Sequence, residues 1–377
     1  MKYLCYYDKN FDEGRNFVLA ATNKIDYISG AIKSEGVDVE IVSASTTSSK
    51  GCFKKRTEIL ENGVKLKLFR ANKWGNVFQK IWATIYFKLA IFFYLLFNVK
   101  KGEKIIVYHS LAYMNQVKLA KAIKKFNLIL EVEEIYGDVT ELRKIVNKEL
   151  DFFKNADAYI FPTELLNSKI NVKNKPYVII HGTYNVEKQI TNKFNDDKIH
   201  CVYAGTFDVR KGGALFAIKS AEFLSEKYHL HVLGFGNNED TKAVKNTIEA
   251  VNKLGNCTVT FDGLKSGEEY IKFIQSCHIG LSTQNPNAKF NDTSFPSKVL
   301  SYMANGLRVV SIKIKALETS AVNALIYYYS EDKPNEIAKA IQSINVLDNY
   351  DSSAKISELD KQFKQDIKKI IEGNYYE

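Results

Sequence analysis

The sequence predicts an α/β protein made of two Rossmann-like domains, each a parallel sheet covered by helices, and three observations carry that prediction. Short runs rich in β-branched and aromatic residues alternate with helical patterns along nearly the whole chain. The runs are apolar along their length, as strands buried on both faces must be. They also fall into two series, separated by the polar stretch 191–198.

The first series places strands at 2–7, 37–43, 65–69, 104–108, 128–131, 158–161 and 177–180. The second places them at 199–203, 229–233, 259–261, 279–282, 309–312 and 324–328. Helical periodicity marks 18–35, 117–126, 213–227, 241–253, 267–275 and 297–304. Residues 353–371 read as one amphipathic helix carrying Ile356, Leu359, Phe363, Ile367 and Ile371 on a face. The expected organisation is a first domain over 1–190, a second over 191–350 with a cleft between the two, and a tail at 351–377 that packs back on the first.

Composition narrows the class. With 377 residues, 45% hydrophobic, 25% charged and 23 Phe plus 22 Tyr, the chain has ample material for two cores. Its five cysteines are scattered, without a Cys-x-x-Cys pair, which suits reduced thiols in the cytoplasm rather than a zinc site or disulfide frame. The first residues, Met1 to Asp8, reach an acid too early for a signal-peptide core and read as the first strand.

The formal net charge of +10 is concentrated. Residues 50–104 hold thirteen Lys or Arg against Glu58, Glu61 and Glu103, so this one stretch accounts for the excess. A localised basic face suits an anionic partner such as a phospholipid surface or a lipid diphosphate. Nothing resembles a helix-turn-helix or an RNA-binding signature, so no nucleic-acid partner is expected. Within the stretch, residues 81–99 are almost wholly apolar but carry Lys88 near the middle. Three readings stand: a buried domain helix, an interfacial helix flanked by Lys73, Lys80, Lys100, Lys101 and Lys104, or a membrane span. A central lysine costs a span about 2.5–3.5 kcal/mol.

Three segments of the second half can hold an anion. In Tyr203-Ala204-Gly205-Thr206-Phe207-Asp208-Val209-Arg210-Lys211-Gly212-Gly213 a strand ends at glycine, and Arg210 and Lys211 precede a helix start. Leu233-Gly234-Phe235-Gly236 ends the next strand, where glycines equally serve turns. The third runs from Asn291 through Asp292, Thr293, Ser294, Phe295, Pro296, Ser297 and Lys298 into a helix ending at Gly306. Pro296 fits the first helical position with Ser294 or Thr293 as cap, which aims free amides, Ser297 and Lys298 at a phosphate. Ser301 shares a face with Ser297. In the first half, Gly14 and Arg15 lie in the loop after the first strand. His109 and Glu134 lie at later strand ends, where α/β proteins bind ligands, and a purely structural histidine remains the alternative for His109.

Order and spacing of these motifs over 199–345 resemble the donor domain of glycosyltransferase family 4, retaining enzymes of the GT-B fold. The Phe295-Pro296-Ser297-Lys298 helix start is similar to enzymes of bacterial surface-polysaccharide assembly. The first half resembles their acceptor domains in architecture, in Glu131-Val132-Glu133-Glu134-Ile135-Tyr136 and in the Ile180-His181-Gly182 strand end. The resemblance implies a nucleotide sugar, UDP-linked by preference, as co-substrate, and a saccharide or lipid-linked saccharide as acceptor. It assigns the donor diphosphate to Lys211, Ser297 and Lys298, beside the strand-end Gly205; Lys211 and Lys298, with His109 from its strand-end position, are the catalytic candidates. Where the family carries two glutamates, this chain has Thr293 and Ser301, and where it carries an arginine, Thr206. No Asp-x-Asp occurs, so neither metal nor cofactor is expected. The implied location is the cytoplasm, at the inner face of the membrane. A non-catalytic partner subunit and a nucleotide-sugar epimerase are the alternatives.

Overall fold

The computed structural model of the chain describes residues 1–49, 51–139, 142–208, 212–285, 291 and 293–373. They form two compact units, Met1–Thr183 with Lys361–Glu377, and Tyr184–Asp360.

The first unit is built on an eight-stranded sheet. In chain order its strands are β1 (Lys2–Cys5), β2 (Glu40–Ser43), β3 (Arg56–Ile59), β4 (Lys65–Leu68), β5 (Lys104–Tyr108), β6 (Asn127–Glu131), β7 (Ala158–Phe161) and β8 (Tyr177–Ile179). Their spatial order is β3-β4-β2-β1-β5-β6-β7-β8, all parallel except β3. The inner parallel strands β1, β2, β5, β6 and β7 are the apolar runs expected from the sequence, buried on both faces; Ile41, Val42, Ile106 and Leu130 have no exposed surface. Strand β3 was not expected. Its sequence Arg-Thr-Glu-Ile is polar and largely exposed, because it pairs on one edge only. The signal it does carry is the turn that follows, where Asn62 and Gly63 (φ 76°) close the hairpin onto β4.

The second unit continues with β9 (Ile199–Thr206), β10 (Tyr228–Phe235), β11 (Thr258–Gly263), β12 (Ile279–Ser282), β13 (Arg308–Ile312) and β14 (Ile326–Tyr329), in the parallel order β11-β10-β9-β12-β13-β14. Two largely parallel α/β sheets with intervening helices are the predicted fold class. The last helix, Ser352–Glu372, begins in the second unit, where the Ser352 hydroxyl donates to the Met303 carbonyl at 2.9 Å. From Lys361 onward it belongs to the first: Phe363 lies 5.6 Å from Tyr27, and Lys104 donates to the Ile371 carbonyl at 2.6 Å. Its buried face ends on Ile370 rather than Ile371.

The apolar 81–99 segment lies within a helix, Val77–Asn98. Asn76 caps it by accepting from the Gln79 amide at 2.9 Å, while Gln79 accepts from the Asn76 amide at 3.2 Å. The reading as a buried domain helix needs correction. Ala83, Phe87, Ile91, Tyr94 and Leu95 pack inward, but Phe78 (83% exposed), Trp82 (61%) and Phe97 (79%) face outward with Ile81, Ile85, Leu89 and Phe93. The helix is apolar all round, and the first unit covers only one side of it.

Candidate active site

In the second unit the strand order reverses between β9 and β12, with β10 and β11 to one side and β13 and β14 to the other. Such a reversal leaves a crevice at the carboxyl ends of the two central strands. A cavity of about 430 Å³ lies there, walled by Tyr203 and Thr206 of β9, Ser282 of β12 and the Thr283 and Gln284 that follow it.

Two helices begin at this cavity. Gly213–Ser220 starts after Gly212 (φ 70°) and Ser297–Ala304 starts after Pro296, cap residues whose own side chains make no bond to the first amides. Each such start presents N–H groups and the positive end of a helix dipole, about half an elementary charge. Pro296 stands one position earlier than the sequence suggested. It is the cap residue itself, at φ −69° and ψ 99°, so neither Ser294 nor Thr293 caps the helix. Ser294, Phe295, Pro296, Ser297 and Lys298 all line the cavity.

Lys298 supplies the cationic side chain. Its ammonium lies 4.0 Å from the centroid of the Tyr203 ring and donates to the Tyr203 hydroxyl at 2.9 Å. Burial raises the Tyr203 pKa, so the phenol stays neutral. Gly205 makes room for this arrangement, since a Cβ on it would stand 2.5 Å from Lys298 Cε. Tyr203 was missed as a site residue; its position near the end of a central strand is the signal that could have found it, as for Ser282, Thr283 and Gln284.

Not every donor-site candidate reaches the cavity. Thr206 does. Ser301 instead pairs with the Tyr270 hydroxyl at 3.3 Å, and Gly234, at φ 142°, serves the sheet: a Cβ there would stand 1.8 Å from the Gly205 carbonyl oxygen. Thr293 is half-buried in the approach loop. Arg210, Lys211 and Asp292 lie outside the described residues.

The first unit has the same device. Its order reverses between β1 and β5, and a cavity of about 660 Å³ opens at their carboxyl ends. Tyr6, Trp74, Phe87, Tyr108 and Tyr136 give it aromatic walls, and Asn16, Ser110 and Lys88 give it polar ones. None of His109, Gly14, Arg15 and Glu134 lines it. His109 is 1% exposed and bonds Glu149 through Nε2 at 2.7 Å. Glu149 in turn accepts from the Tyr136 and Gly137 amides at 2.9 and 2.7 Å, so the pair anchors the turn after β6. Arg15 is spent on the chain itself, with Glu13 at 2.6 Å, Asp8 at 3.4 Å and the Phe69 carbonyl at 2.8 Å; Gly14 (φ 53°) accepts from the Thr47 and Ser48 hydroxyls. Glu134 is half-buried.

A carboxyl cluster lies at the end of β6. Glu131 is fully buried and accepts from the Tyr3 hydroxyl, and burial, reinforced by the charge of Glu133, pushes its pKa up to about 8. Glu133 pairs with Lys24 at 2.6 Å, and Lys24 also donates to the Ile180 carbonyl at 2.9 Å.

Comparison with known proteins agrees with this architecture. Residues 198–345 match the family model described as glycosyl transferases group 1. The chain is similar in structure to trehalose-6-phosphate synthase OtsA from E. coli bound with UDP-2-fluoro glucose (TM-score 0.67, 10% identity, 100% of this chain and 99% of that one). It is similar also to HepE from Anabaena in complex with UDP and glucose (0.64, 12%, 99% and 100%), and to the lipopolysaccharide outer core galactosyltransferase WaaB (0.63, 12%, 99% and 100%). No curated protein matches the chain by sequence. These likenesses show the GT-B fold, and the family match lies within its second unit.

Proposed function

We propose that the chain transfers a sugar, with retention, from a UDP-sugar to a saccharide or lipid-linked saccharide in polysaccharide assembly. The observation that carries the donor half is the convergence of two helix starts and Lys298 on one cavity at the β9/β12 reversal. These groups favour a diphosphate, and they stabilise it more as it leaves and gains charge. Because they supply the positive field, the proposed reaction needs no divalent ion and no cofactor beyond the nucleotide sugar. UDP is favoured over other nucleotides because HepE and OtsA were solved with UDP or a UDP-sugar.

The acceptor half rests on the aromatic cavity of the first unit and on the helix Val77–Asn98, part of the cavity wall. Aromatic rings suit the faces of sugar rings, and the outward apolar side of the helix, with Lys73, Lys80, Lys100 and Lys101 at its ends, suits an anionic bilayer surface. We therefore place the protein at the cytoplasmic face of a membrane.

A panel of nucleotide sugars, without added Mg²⁺ or Mn²⁺, tests the reading. Slow release of UDP from one donor supports it, and wild-type donor affinity in Lys298→Ala overturns the site. A non-catalytic partner is the second reading, favoured by Ser301 being paired with Tyr270 where the related enzymes carry a glutamate. An epimerase is disfavoured, because among the described residues the donor cavity holds one acid, Asp208, and no histidine.

A further inference from the structure

The amino-terminal end of the second sheet carries a cluster that glycosyl transfer does not use. His229 and His231 are two apart on β10 and therefore share a face, and His200 on β9 is the register partner of His229. One ring nitrogen from each of the three lies within 4.8 Å of the others. A His-x-His pair with a third histidine on the neighbouring strand is thus assembled by backbone register, without any loop.

The hydrogen bonds around the rings say what the cluster lacks. His200 Nε2 lies 2.8 Å from Asp196 Oδ1, and His231 Nδ1 lies 3.1 Å from Asp262 Oδ2. Thr260, the register partner of His231, stands 2.9 Å from the same Asp262 oxygen, 3.1 Å from His231 Nδ1 and 3.2 Å from His229 Nε2. A carboxylate accepts and cannot donate, so each outer nitrogen carries its N–H toward its aspartate. The inner nitrogens, His200 Nδ1 and His231 Nε2, then face each other with lone pairs at 2.9 Å. Two lone pairs at that distance repel unless a cation stands between or beside them. Imidazoles oriented by carboxylates through their remote N–H are the usual surroundings of a bound metal. Phe194 stacks over the pair, 4.3 Å from His200 and 5.2 Å from His231, while His229 is only partly buried and leaves a side open to solvent.

We infer that His200, His229 and His231 bind one zinc ion, with Asp196 and Asp262 orienting the ligands and water in the fourth position. Three neutral imidazoles suit zinc, whose Zn–N bonds are about 2.0–2.1 Å in a tetrahedral site. Tetrahedral ligand atoms at that bond length lie about 3.4 Å apart. The closest pair must therefore open by a few tenths of an ångström and the widest must close. The ion would pin the start of β9 to β10. Thr206 at the donor end of β9 is six residues from His200, about 20 Å along the strand, so the site is structural and separate from sugar transfer.

The test uses the full-length chain without a polyhistidine tag, stripped with a chelator and titrated with Zn²⁺ and with Co²⁺. The expected results are one equivalent retained after dialysis, visible Co²⁺ absorption of a tetrahedral nitrogen site, and a rise in Tm of several degrees with Zn²⁺. His229→Gln and His231→Gln, checked for native circular dichroism, should each lose the Tm response and at least tenfold in affinity. A wild-type chain that retains no equivalent overturns the site and leaves a proton shared between His200 and His231. An equivalent kept unchanged by both variants overturns it too, by placing the ion elsewhere.

Discussion

Lys298 and Tyr203 form one unit, with the ammonium 4.0 Å from the ring centroid and 2.9 Å from the hydroxyl. The ring face and the hydroxyl together hold the ammonium at the cavity wall, where a donor diphosphate would meet it. Lys298→Ala should weaken UDP binding by about 10- to 100-fold, the worth of a charge-assisted hydrogen bond of about 1.5–3 kcal/mol, while Tm barely moves. Calorimetric titration with UDP checks it.

The two glycines of the paired strands β9 and β10 should separate binding from folding. A Cβ on Gly205 meets only the flexible end of Lys298, at 2.5 and 2.6 Å, which can swing aside. Gly205→Ala should fold normally and bind UDP as poorly as Lys298→Ala. A Cβ on Gly234 meets the Gly205 carbonyl oxygen at 1.8 Å, on backbone that cannot move without breaking the β9–β10 pairing. Gly234→Ala should lower Tm by many degrees or fail to fold, and thermal melts of the two variants side by side decide the matter.

How much of this was legible beforehand depended on the type of signal. Strands such as Ile279–Ser282 and Ala158–Phe161 were read to the residue, because a strand buried on both faces writes its burial into every position. Strand β3, with one edge paired and its side chains in water, wrote almost nothing. The Phe295–Lys298 helix start was visible from Pro296 and Gly306. Tyr203 was hidden because a tyrosine in a strand reads as core, and only its register beside Lys298 gives it a role. His109 shows the opposite limit. A histidine at a strand end looks catalytic, and nothing local announces that Glu149, forty residues on, closes over it.

That burial gives a stability prediction. Glu149 serves His109 and two amides at once, so its loss removes the acceptor of three donors, two of them in buried bonds. Glu149→Ala should cost about 3 kcal/mol or more, and His109→Ala a comparable amount. If His109 is structural, activity per folded molecule stays near wild type in His109→Ala. A kcat falling a hundredfold with Tm unchanged would restore it to the catalytic set.

The outward side of the helix Val77–Asn98 yields a surface prediction. Phe78 and Phe97 are 83% and 79% exposed, so replacing them removes little packing. Seating each in a bilayer interface would contribute about 1.5–3 kcal/mol. The double variant Phe78→Ser/Phe97→Ser should keep its Tm, gain solubility, and lose at least 100-fold in binding to vesicles containing anionic lipid. Cosedimentation equal to wild type would exclude this face as the contact.

Glu131 makes stability depend on pH in an unusual direction. Its carboxyl has an ordinary value near 4.5 in the unfolded chain and is pushed up to about 8 in the fold by burial and then by the charge of Glu133. A raised folded value means the native state holds a proton that the unfolded state has released. The contribution is full below pH 4.5, declines as pH rises, and is gone above about 8. Within that window the slope approaches 1.4 kcal/mol per pH unit for this group alone. His181 runs the other way, since burial lowers its pKa to about 4, and its contribution is lost as pH falls from about 6.5 toward 4. The two slopes oppose each other below pH 6.5, so the decline assigned to Glu131 should stand out between pH 6.5 and 8. Glu131→Gln keeps an uncharged side chain of the same shape beside Tyr3, and it should flatten the urea-midpoint profile across that interval and, below pH 6.5, uncover the fall toward acid assigned to His181. A variant whose midpoint still falls with the wild-type slope would mean that Glu131 is ionised in the fold, and that Lys24 serves both glutamates.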